Sequence, residues 1–336
     1  MQDLANRAFA PVAEAIAQGR IPGAVLGVLQ HGRSVRHAGL ARIAPSTPMR
    51  TDTVFDLASL TKPIFTATAV LRHVEQGRIG LDDTLASVIP DLRQYDVAHA
   101  AERCLTFQQC LAHQTHLPAV EPVYTYGQDQ ATLRAFILQR AWKAGRPVYS
   151  DINYLLLGIA LERLARRPLS ELDPGFGLCF RPDPSACAAT EFCHWRGRVM
   201  QGEVHDENAF AMGGAAGHAG LFGSADAVLD FAEALLDGRV LGADGIVGIR
   251  TVQGGSRTLG WEAAHAGWSG GATCSPGTIG HTGFTGTGLW IDWDRRLAWT
   301  LLTNRVHPSR HVETGIAALR RAVGEIVAGG APRLAG

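Results

Sequence analysis

Hydrophobic positions along the chain predict helices and strands at both of its ends. Apolar residues recur at helical spacing near the start and near the end, and runs rich in Val, Leu and Ile lie next to them. The predicted helices cover residues 3–18 and 312–327, and the predicted strands cover residues 21–30, 34–41, 278–292 and 296–303. The short turn at residues 31–33 joins the first two strands, which predicts a hairpin. We therefore expect one antiparallel sheet that is built from the N- and C-terminal segments and flanked by helices.

The middle of the chain has a different pattern. Short helical periodicities are separated by loops rich in Pro, Gly and Asp. The helices predicted there cover residues 82–89, 106–112, 131–141 and 152–164. The composition then becomes glycine-rich, and one more helix is predicted over residues 225–236. The whole pattern favours an α+β protein, with an α/β sheet domain formed by residues 1–78 and 204–336 and a mainly helical lobe inserted at residues 79–203.

The bulk composition narrows the classes of function. The 336 residues include 31 Lys and Arg and 31 Asp and Glu, so the net charge is zero and we expect no nucleic-acid or anionic-membrane partner. The start of the chain lacks the features of a secretory signal, and no stretch has the apolar length of a membrane span, which predicts a cytoplasmic protein. The six cysteines show no CxxC spacing and are expected to be reduced thiols. Cys187, Cys193 and His194 lack the spacing of a zinc site, so we expect no metal and no other cofactor.

The first stretch with a candidate chemistry is Ser-Leu-Thr-Lys at residues 59–62. It stands at the front of an apolar run over residues 63–74, which predicts a helix with Ser59 in its first turn. Residues three apart lie on the same helical face, so we expect the Lys62 amine beside the Ser59 hydroxyl. A serine hydroxyl needs a base to act as a nucleophile, and burial favours the neutral, basic form of lysine. The pattern therefore indicates a nucleophilic serine.

Two glycine-rich stretches receive other interpretations. Residues 267–271 have the form G-x-S-x-G, but a nucleophile elbow needs a strand before it and a helix after it, so we predict a turn. Residues 213–220 do not open a helix after a strand as a dinucleotide-binding loop does. We interpret them as tight packing near the floor of an active site.

Two later stretches complete a recognisable set. Tyr-Ser-Asp at residues 149–151 precedes a predicted helix, and His-Thr-Gly at residues 281–283 lies in a predicted strand. Together with residues 59–62, and in this order, they resemble the three signature elements of the serine β-lactamase and penicillin-binding-protein superfamily. The surrounding sequence is most similar to class C β-lactamases and to related esterases and DD-peptidases, from about residue 21 to about residue 304. The resemblance implies a β-lactamase/transpeptidase-like fold.

The resemblance also implies a role for each matching residue. Ser59 is the acylated nucleophile, Lys62 accepts or relays its proton, and Tyr149 acts with Lys62 as general base and later protonates the leaving group. The backbone N–H groups of Ser59 and Phe284 form the oxyanion hole. The expected substrate-binding residues are Asp151, His281, Thr282 and Gly283.

Two positions depart from the usual pattern of that superfamily. Asp151 stands where Asn is usual, and an ionised Asp can only accept hydrogen bonds. It pairs with Lys62 and raises the pKa of the lysine, or it caps the helix that follows. His281 stands where Lys is usual, and histidine is mostly uncharged at neutral pH, so a fixed positive charge for a substrate carboxylate is missing. Some DD-peptidases of the superfamily carry His there, which leaves peptide and β-lactam substrates open and weakens the case for an efficient β-lactamase.

These observations favour a serine hydrolase that acts through an acyl-enzyme on small esters or amides. Esters are favoured because peptidoglycan and most β-lactams lie outside the cytoplasm. A DD-peptidase, a D-amino-acid amidase or a β-lactamase is the first alternative, and a binding or sensor protein without turnover is the second. The expected partner is a small-molecule ester, amide or β-lactam, and the sequence leaves the oligomeric state open.

Overall fold

The computed structural model of the protein describes residues 1–127, 129–143 and 145–332. The strands are β1 (Gly23–Leu29), β2 (Arg33–Arg42), β3 (Thr47–Pro48), β4 (Phe55–Asp56), β5 (Ala189–Cys193), β6 (Arg198–Gln201), β7 (Phe222–Gly223), β8 (Glu262–Ala263), β9 (Ile279–Thr282), β10 (Gly288–Asp292) and β11 (Leu297–Thr303). The α-helices are α1 (Gln2–Ala17), α2 (Thr68–Glu75), α3 (Phe107–Leu111), α4 (Gln130–Gln139), α5 (Asp151–Ala165), α6 (Glu207–Ala211), α7 (Ala225–Leu236), α8 (Ala243–Arg250) and α9 (Ile316–Gly330). None of the helices in these ranges combines the length and the apolar surface that crossing a bilayer requires.

The centre of the fold is an antiparallel sheet. In the described residues its strand order is β3-β2-β1-β11-β10-β9-β8. Strands from the two ends of the chain meet in the middle, where Leu26 of β1 lies opposite Leu301 of β11. This confirms the predicted α+β fold, with an antiparallel sheet built from N- and C-terminal segments. The strand predicted over residues 278–292 is in fact two strands, because a turn at residues 283–287 separates β9 from β10.

Helices cover both faces of this sheet. On one face α1 packs against α9, and Phe9 and Val323 share a core with the stacked rings of Trp290 and Trp299. On the other face α7 packs against β1 and β11. Every residue of these two strands is buried, because helices cover both of their faces.

The segment at residues 79–203 carries α3, α4 and α5, which confirm three of the four helices predicted for it. The helix predicted over residues 82–89 is wrong, because only the 3₁₀ turn Leu85–Ser87 forms there. Thr84 is extended and pairs with Thr106, so this stretch bonds to a neighbouring strand-like segment instead of to itself. The hairpin formed by β5 and β6 was not predicted from the sequence. The division into a sheet domain and an inserted lobe stays a prediction.

The segment that carries Ser59 and Lys62 is helical, as predicted, although it is not a regular α-helix. A 3₁₀ turn at Ala58–Leu60 holds the serine, and a π-helical stretch at Lys62–Ala67 leads into α2. Pro63 explains why the turns of this π-helical stretch are wider than those of an α-helix, because proline has no N–H to donate and its ring crowds the preceding turn. All residues of the π-helical stretch are buried, so Lys62 points into the protein interior.

Candidate active site

Ser59 and Lys62 meet at the base of a cleft of about 640 Å³. The Nζ of Lys62 lies 2.9 Å from the Oγ of Ser59, as their spacing in the sequence predicts. Ser59 is half-buried and lines the cleft, whereas the Lys62 side chain is fully buried behind it. The serine is therefore accessible to a substrate, and the lysine reaches it from the interior.

The backbone before the serine is held in an unusual conformation. Ala58 has a φ of 48°, in the left-handed region that costs a non-glycine residue about 1 kcal/mol or more. The carboxylate of Asp56 accepts a hydrogen bond of 2.8 Å from the Ala58 N–H. The hydroxyl of Thr287 donates to the carbonyl oxygen of Leu57 at 3.0 Å. Side chains from β4 and from the turn between β9 and β10 therefore fix the position of Ser59.

The turn after β9 lies directly against this segment. A Cβ at Gly283 would stand 2.5 Å from the carbonyl oxygen of Leu57, so the close approach requires glycine. His281, Thr282, Gly283 and Phe284 all line the cleft that also contains Ser59. The structure therefore brings the predicted strand motif beside the predicted nucleophile. The oxyanion-hole roles of Ser59 and Phe284 and the substrate-binding role of Thr282 stay predictions.

Asp151 forms the ion pair that the sequence left as one of two alternatives. Its Oδ1 lies 2.8 Å from the Nζ of Lys62. Burial has the largest influence on the pKa of Lys62 and lowers it, but the charges of Asp151 and Tyr149 outweigh burial and raise the pKa above its usual value. Asp151 is the first residue of α5 and not its cap, because the Ser150 side chain accepts the hydrogen bond from the Asn153 N–H. Of the two states that the sequence left open for Lys62, the geometry therefore favours a charged lysine in a buried ion pair over the neutral, basic form.

The glycine-rich stretch at residues 213–220 packs behind the lysine. A Cβ at Gly217 would stand 1.9 Å from the carbonyl oxygen of Tyr154, so α5 approaches the backbone of this stretch closely. The carbonyl oxygen of His218 accepts a hydrogen bond of 3.3 Å from Lys62, and that of Gly217 accepts one of 2.6 Å from Thr66. These contacts confirm the interpretation of the stretch as tight packing at the floor of the site. Residues 267–271 form turns, which confirms the prediction made for the G-x-S-x-G stretch.

Aromatic and cationic groups surround Tyr149. The rings of His113 and His281 lie 4.5 Å and 5.8 Å from its ring, between centroids. The Nζ of Lys62 and the Cζ of Arg257 each lie 4.9 Å from the centroid of the Tyr149 ring. Two cations are therefore within cation–π distance of Tyr149, which lines the same cleft as Ser59.

His281 is neutral in this environment. Burial is the main cause that lowers its pKa well below the usual value, and the positive charges of Lys62 and Arg257 add to the effect. Its Nδ1 lies 3.0 Å from the carbonyl oxygen of Thr282, to which it can only donate. The expectation that this position supplies no fixed positive charge agrees with the geometry.

The cleft also contains arginines that the sequence analysis did not identify. Arg257 lies in a loop before β8, where no motif marks it. Arg320 of α9 is buried and donates to the carbonyl oxygens of Gly283 and Thr287, at 2.8 Å and 2.7 Å. One signal for Arg320 was present in the sequence, because it interrupts the apolar face of the predicted last helix, between Ile316 and Val323.

His113 and an acidic side chain also shape the cleft. The backbone N–H of Ser150 donates to the Nδ1 of His113 at 3.0 Å, which fixes the loop that presents Tyr149. Asp206 lines the cleft and pairs with the Nε2 of His218 at 2.8 Å.

Within the ranges that the structure describes, no three His, Cys, Asp or Glu side chains converge as ligands of a metal ion.

Comparisons with known proteins identify the family. The sequence profile of the family described as Beta-lactamase matches residues 8–323. An N-acetylmuramyl-L-alanine amidase of Bacillus subtilis (strain 168) is 30% identical over an alignment of 349 positions, gaps included, that covers 85% of this chain and 78% of that protein. Among solved structures, EstCE1, a hydrolase with promiscuous acyltransferase activity, has a TM-score of 0.75 at 22% identity and covers 97% of this chain and 99% of its own. The D-amino acid amidase from Ochrobactrum anthropi SV3, complexed with L-phenylalanine amide, has a TM-score of 0.71 at 18% identity and covers 98% of this chain and 99% of its own.

The two structural likenesses show that the fold is the β-lactamase/transpeptidase-like one predicted from the sequence. The profile match extends over almost the whole chain and includes all three motif stretches. The protein therefore belongs to the β-lactamase family of hydrolases.

Proposed function

We propose that the protein is a serine hydrolase that forms an acyl-enzyme on Ser59 and cleaves small esters and amides. The observation that carries this proposal is the 2.9 Å contact between the Oγ of Ser59 and the Nζ of Lys62 at the base of an open cleft. The names of the related proteins, two amidases and a hydrolase with acyltransferase activity, all describe acyl transfer. They support a reaction in which an acyl group passes from the substrate to a serine and then to water.

The ion pair of Lys62 supports one assignment of the proton transfers. Lys62 already carries a proton in its pair with Asp151, so it donates a hydrogen bond to Ser59 and does not accept the serine proton in the resting site. We assign the acceptor role to the phenolate form of Tyr149, which stands beside the lysine. As the Ser59 Oγ bonds to the substrate carbonyl carbon, its proton passes to Tyr149. Tyr149 then returns that proton to the leaving oxygen or nitrogen as the carbonyl bond to it breaks.

The second half of the reaction, hydrolysis of the acyl-enzyme, uses the same groups. A water molecule takes the place of the leaving group, loses a proton to Tyr149 and attacks the acyl carbon. The bond to the Ser59 Oγ breaks, and the serine recovers its proton. The negative charge that develops on the substrate oxygen in both halves is stabilised by the backbone N–H groups of Ser59 and Phe284.

The test is hydrolysis of a p-nitrophenyl ester by the natural protein and by Ser59→Ala. We expect a loss of about 10³-fold or more, because removal of a nucleophile removes the covalent path. Ser269→Ala is the matched control, since Ser269 belongs to the G-x-S-x-G stretch and accepts a hydrogen bond from the Trp290 indole. Equal rates in the natural protein and in Ser59→Ala would reject the nucleophile. Absence of turnover on every ester and amide would favour the binding or sensor alternative.

A further inference from the structure

A second cavity, separate from the cleft of Ser59, is lined by five arginines. Its volume is about 550 Å³, and it shares no lining residue with that cleft. Its walls come from α4, from the C-terminal end of α5 with the segment that follows it, and from the loop after α6. We call it the arginine pocket, after Arg134, Arg163, Arg166, Arg167 and Arg181. The proposed reaction uses none of these residues.

The arginine pocket carries an excess of positive charge. Among the described residues that line it, only Glu162 and Glu171 are acidic, which leaves three positive charges without a counterpart in the lining. Over the whole chain 31 Lys and Arg are balanced by 31 Asp and Glu, so the excess is local. Like charges around one cavity repel one another, and an anion that binds among them removes that repulsion. The pocket therefore favours an anion with more than one negative charge.

Two of the five arginines already have carboxylate partners. The carboxylate of Glu162 accepts two hydrogen bonds from Arg134, one of them at 2.8 Å, and a further one of 3.0 Å from the Leu169 N–H. Arg163 donates to Asp91 at 2.8 Å. Arg134 and Arg163 are therefore the arginines of the pocket that are least available to a ligand.

The other three arginines have no carboxylate partner within the ranges that the structure describes. Arg167 donates to the backbone carbonyl oxygen of Glu171, and Arg181 donates to the hydroxyl of Ser170 at 3.2 Å. These two arginines and Arg166 are exposed. A guanidinium has five N–H donors, so a single bond to a neutral oxygen leaves most of them free for a ligand.

Capping of α5 does not account for the arginines at its C-terminal end. A cation stabilises the C-terminus of a helix by lying at its last carbonyl groups or by donating to them. Arg163 instead donates to Asp91, and Arg167 donates to the carbonyl oxygen of Glu171, which lies beyond the helix. Arg166 ends the helix with a φ of 54°, in the left-handed conformation that glycine and asparagine adopt at lower cost. The end of the helix therefore does not require arginine at these positions.

The chemistry of the pocket matches linked phosphate groups. A guanidinium presents a planar fork of donors that binds two oxygens of one phosphate group. A phosphate group carries up to about two negative charges at neutral pH, so it brings more charge into a given volume than a carboxylate does. The side chains of Gln130 and Ser170 also line the pocket and add neutral donors.

We propose that the arginine pocket binds a soluble anion with two linked phosphate groups, as in pyrophosphate or the diphosphate end of a larger molecule. Arg166, Arg167 and Arg181 bind the phosphate oxygens. A cavity of this volume is suited to a small molecule, whereas the phosphates of a membrane lie on a surface that cannot enter it. The inference is independent of the proposed hydrolase function, because binding in this pocket needs no turnover at Ser59.

The experiment is equilibrium dialysis of the full chain with radiolabelled pyrophosphate at low salt. We expect saturable binding of one pyrophosphate per protein molecule. The double variant Arg166→Gln, Arg167→Gln should raise the Kd by about 100-fold, because each lost charged hydrogen-bond partner weakens binding by about tenfold or more. Both side chains are exposed, so the variant should fold, which an unchanged midpoint of thermal unfolding checks.

The double variant Arg7→Gln, Arg321→Gln is the matched control. It changes the net charge by the same amount, and both side chains are exposed on helices that do not line the pocket. Its Kd should stay within about threefold of that of the natural protein, since charges farther away than a Debye length are screened. Citrate carries a similar charge on carboxylates, and as a competitor it should be needed at a concentration about tenfold higher than unlabelled pyrophosphate.

Four results would overturn the inference. Absence of saturable binding to the natural protein would show that the pocket does not take the anion. An unchanged Kd in Arg166→Gln, Arg167→Gln would place the bound pyrophosphate elsewhere on the protein. An equal rise of the Kd in the control would show that only the net charge matters, and equal competition by citrate would exclude a preference for phosphate. None of these results bears on the hydrolase function, which the ester assay with Ser59→Ala tests separately.

Discussion

Replacement of Asp151 by Asn tests whether the ion pair controls the reaction. Asp151 is the only carboxylate within ion-pair distance of Lys62 in the described residues, at 2.8 Å, and the Lys62 side chain is fully buried. Asparagine has nearly the same shape but no charge. The substitution therefore leaves an ammonium group in the interior without its counter-charge.

The size of the effect follows from the burial of the pair. Leaving one charge of a buried ion pair without its partner costs about 3–5 kcal/mol as long as that charge persists. One pKa unit corresponds to about 1.4 kcal/mol, so the pKa of Lys62 should fall by about two to four units in Asp151→Asn. The lysine then loses its proton at a pH about two to four units lower than in the natural protein, and above that pH the loss of stability is limited to about 1–3 kcal/mol, because no unpaired charge remains buried. The neutral amine is a second base for Ser59, so acylation at pH 7 should rise by roughly tenfold or more.

The assay is the rate of acylation by a fluorescent penicillin between pH 5 and pH 10, with the adduct on Ser59 checked by mass spectrometry. In the natural protein the pKa of Lys62 is raised, so the amine is released only at high pH. In Asp151→Asn the neutral lysine is an additional base, so the profile should gain an acidic limb about two pH units or more below the pH at which the amine of the natural protein is released. Ser150→Ala is the control, because it removes the actual cap of α5 and costs about 1 kcal/mol of stability without changing the charge on Lys62. If the acylation rate of a folded Asp151→Asn protein depends on pH in the same way as that of the natural protein, the reasoning is refuted.

Two further predictions concern stability. The pKa values of His113 and His281 are lowered, mainly by burial, so both are neutral when folded and take up protons when unfolded. The contribution of the two neutral histidines to the free energy of unfolding is complete above about pH 6.5. It is lost as the pH falls below that value, by about 1.4 kcal/mol per pH unit for each histidine. A free energy of unfolding in urea that is the same at pH 7.5 and pH 5.5 would contradict this. Gly217→Ala should lose about 3 kcal/mol or more, because its Cβ would overlap the backbone of α5. Gly329→Ala, whose Cβ meets only ordinary contacts in α9, should change stability by less than about 1 kcal/mol, and equal midpoints of thermal unfolding for the two variants would count against the packing argument.

The parts of the fold that sequence predicted well have strong local periodicity. The helix predicted over residues 225–236 matches α7 at both ends, and the helix predicted over residues 3–18 matches α1 within one residue at each end. The strands that were missed include β4 and β7, each two residues long and too short to show any alternation. They form because Phe55 pairs with Gly223, which are far apart in the chain. Such pairing depends on the tertiary fold and leaves no pattern in the local sequence.

In the candidate site, too, the features set by local sequence were predicted and those set by the tertiary fold were not. The spacing of Ser59 and Lys62 placed both groups correctly, because one helical turn fixes their separation. The state of the lysine could not be predicted, since it depends on Asp151, which comes from the start of another helix. Arg257 was missed for the same reason, because its position over the Tyr149 ring is set by the loop before β8 and by no motif.

The two departures from the usual superfamily pattern change the charge of the cleft in the same direction. Asp151 neutralises Lys62, and His281 brings no charge to the strand, so each departure removes positive charge that a substrate would meet. Arg257 restores one positive charge at a different place, over the ring of Tyr149. That cation and the ion pair of Lys62 both lie next to Tyr149, the group that we assign to proton transfer. Because the ion pair acts on the groups that transfer protons, substitutions of Asp151 should change the acylation rates of esters and amides alike.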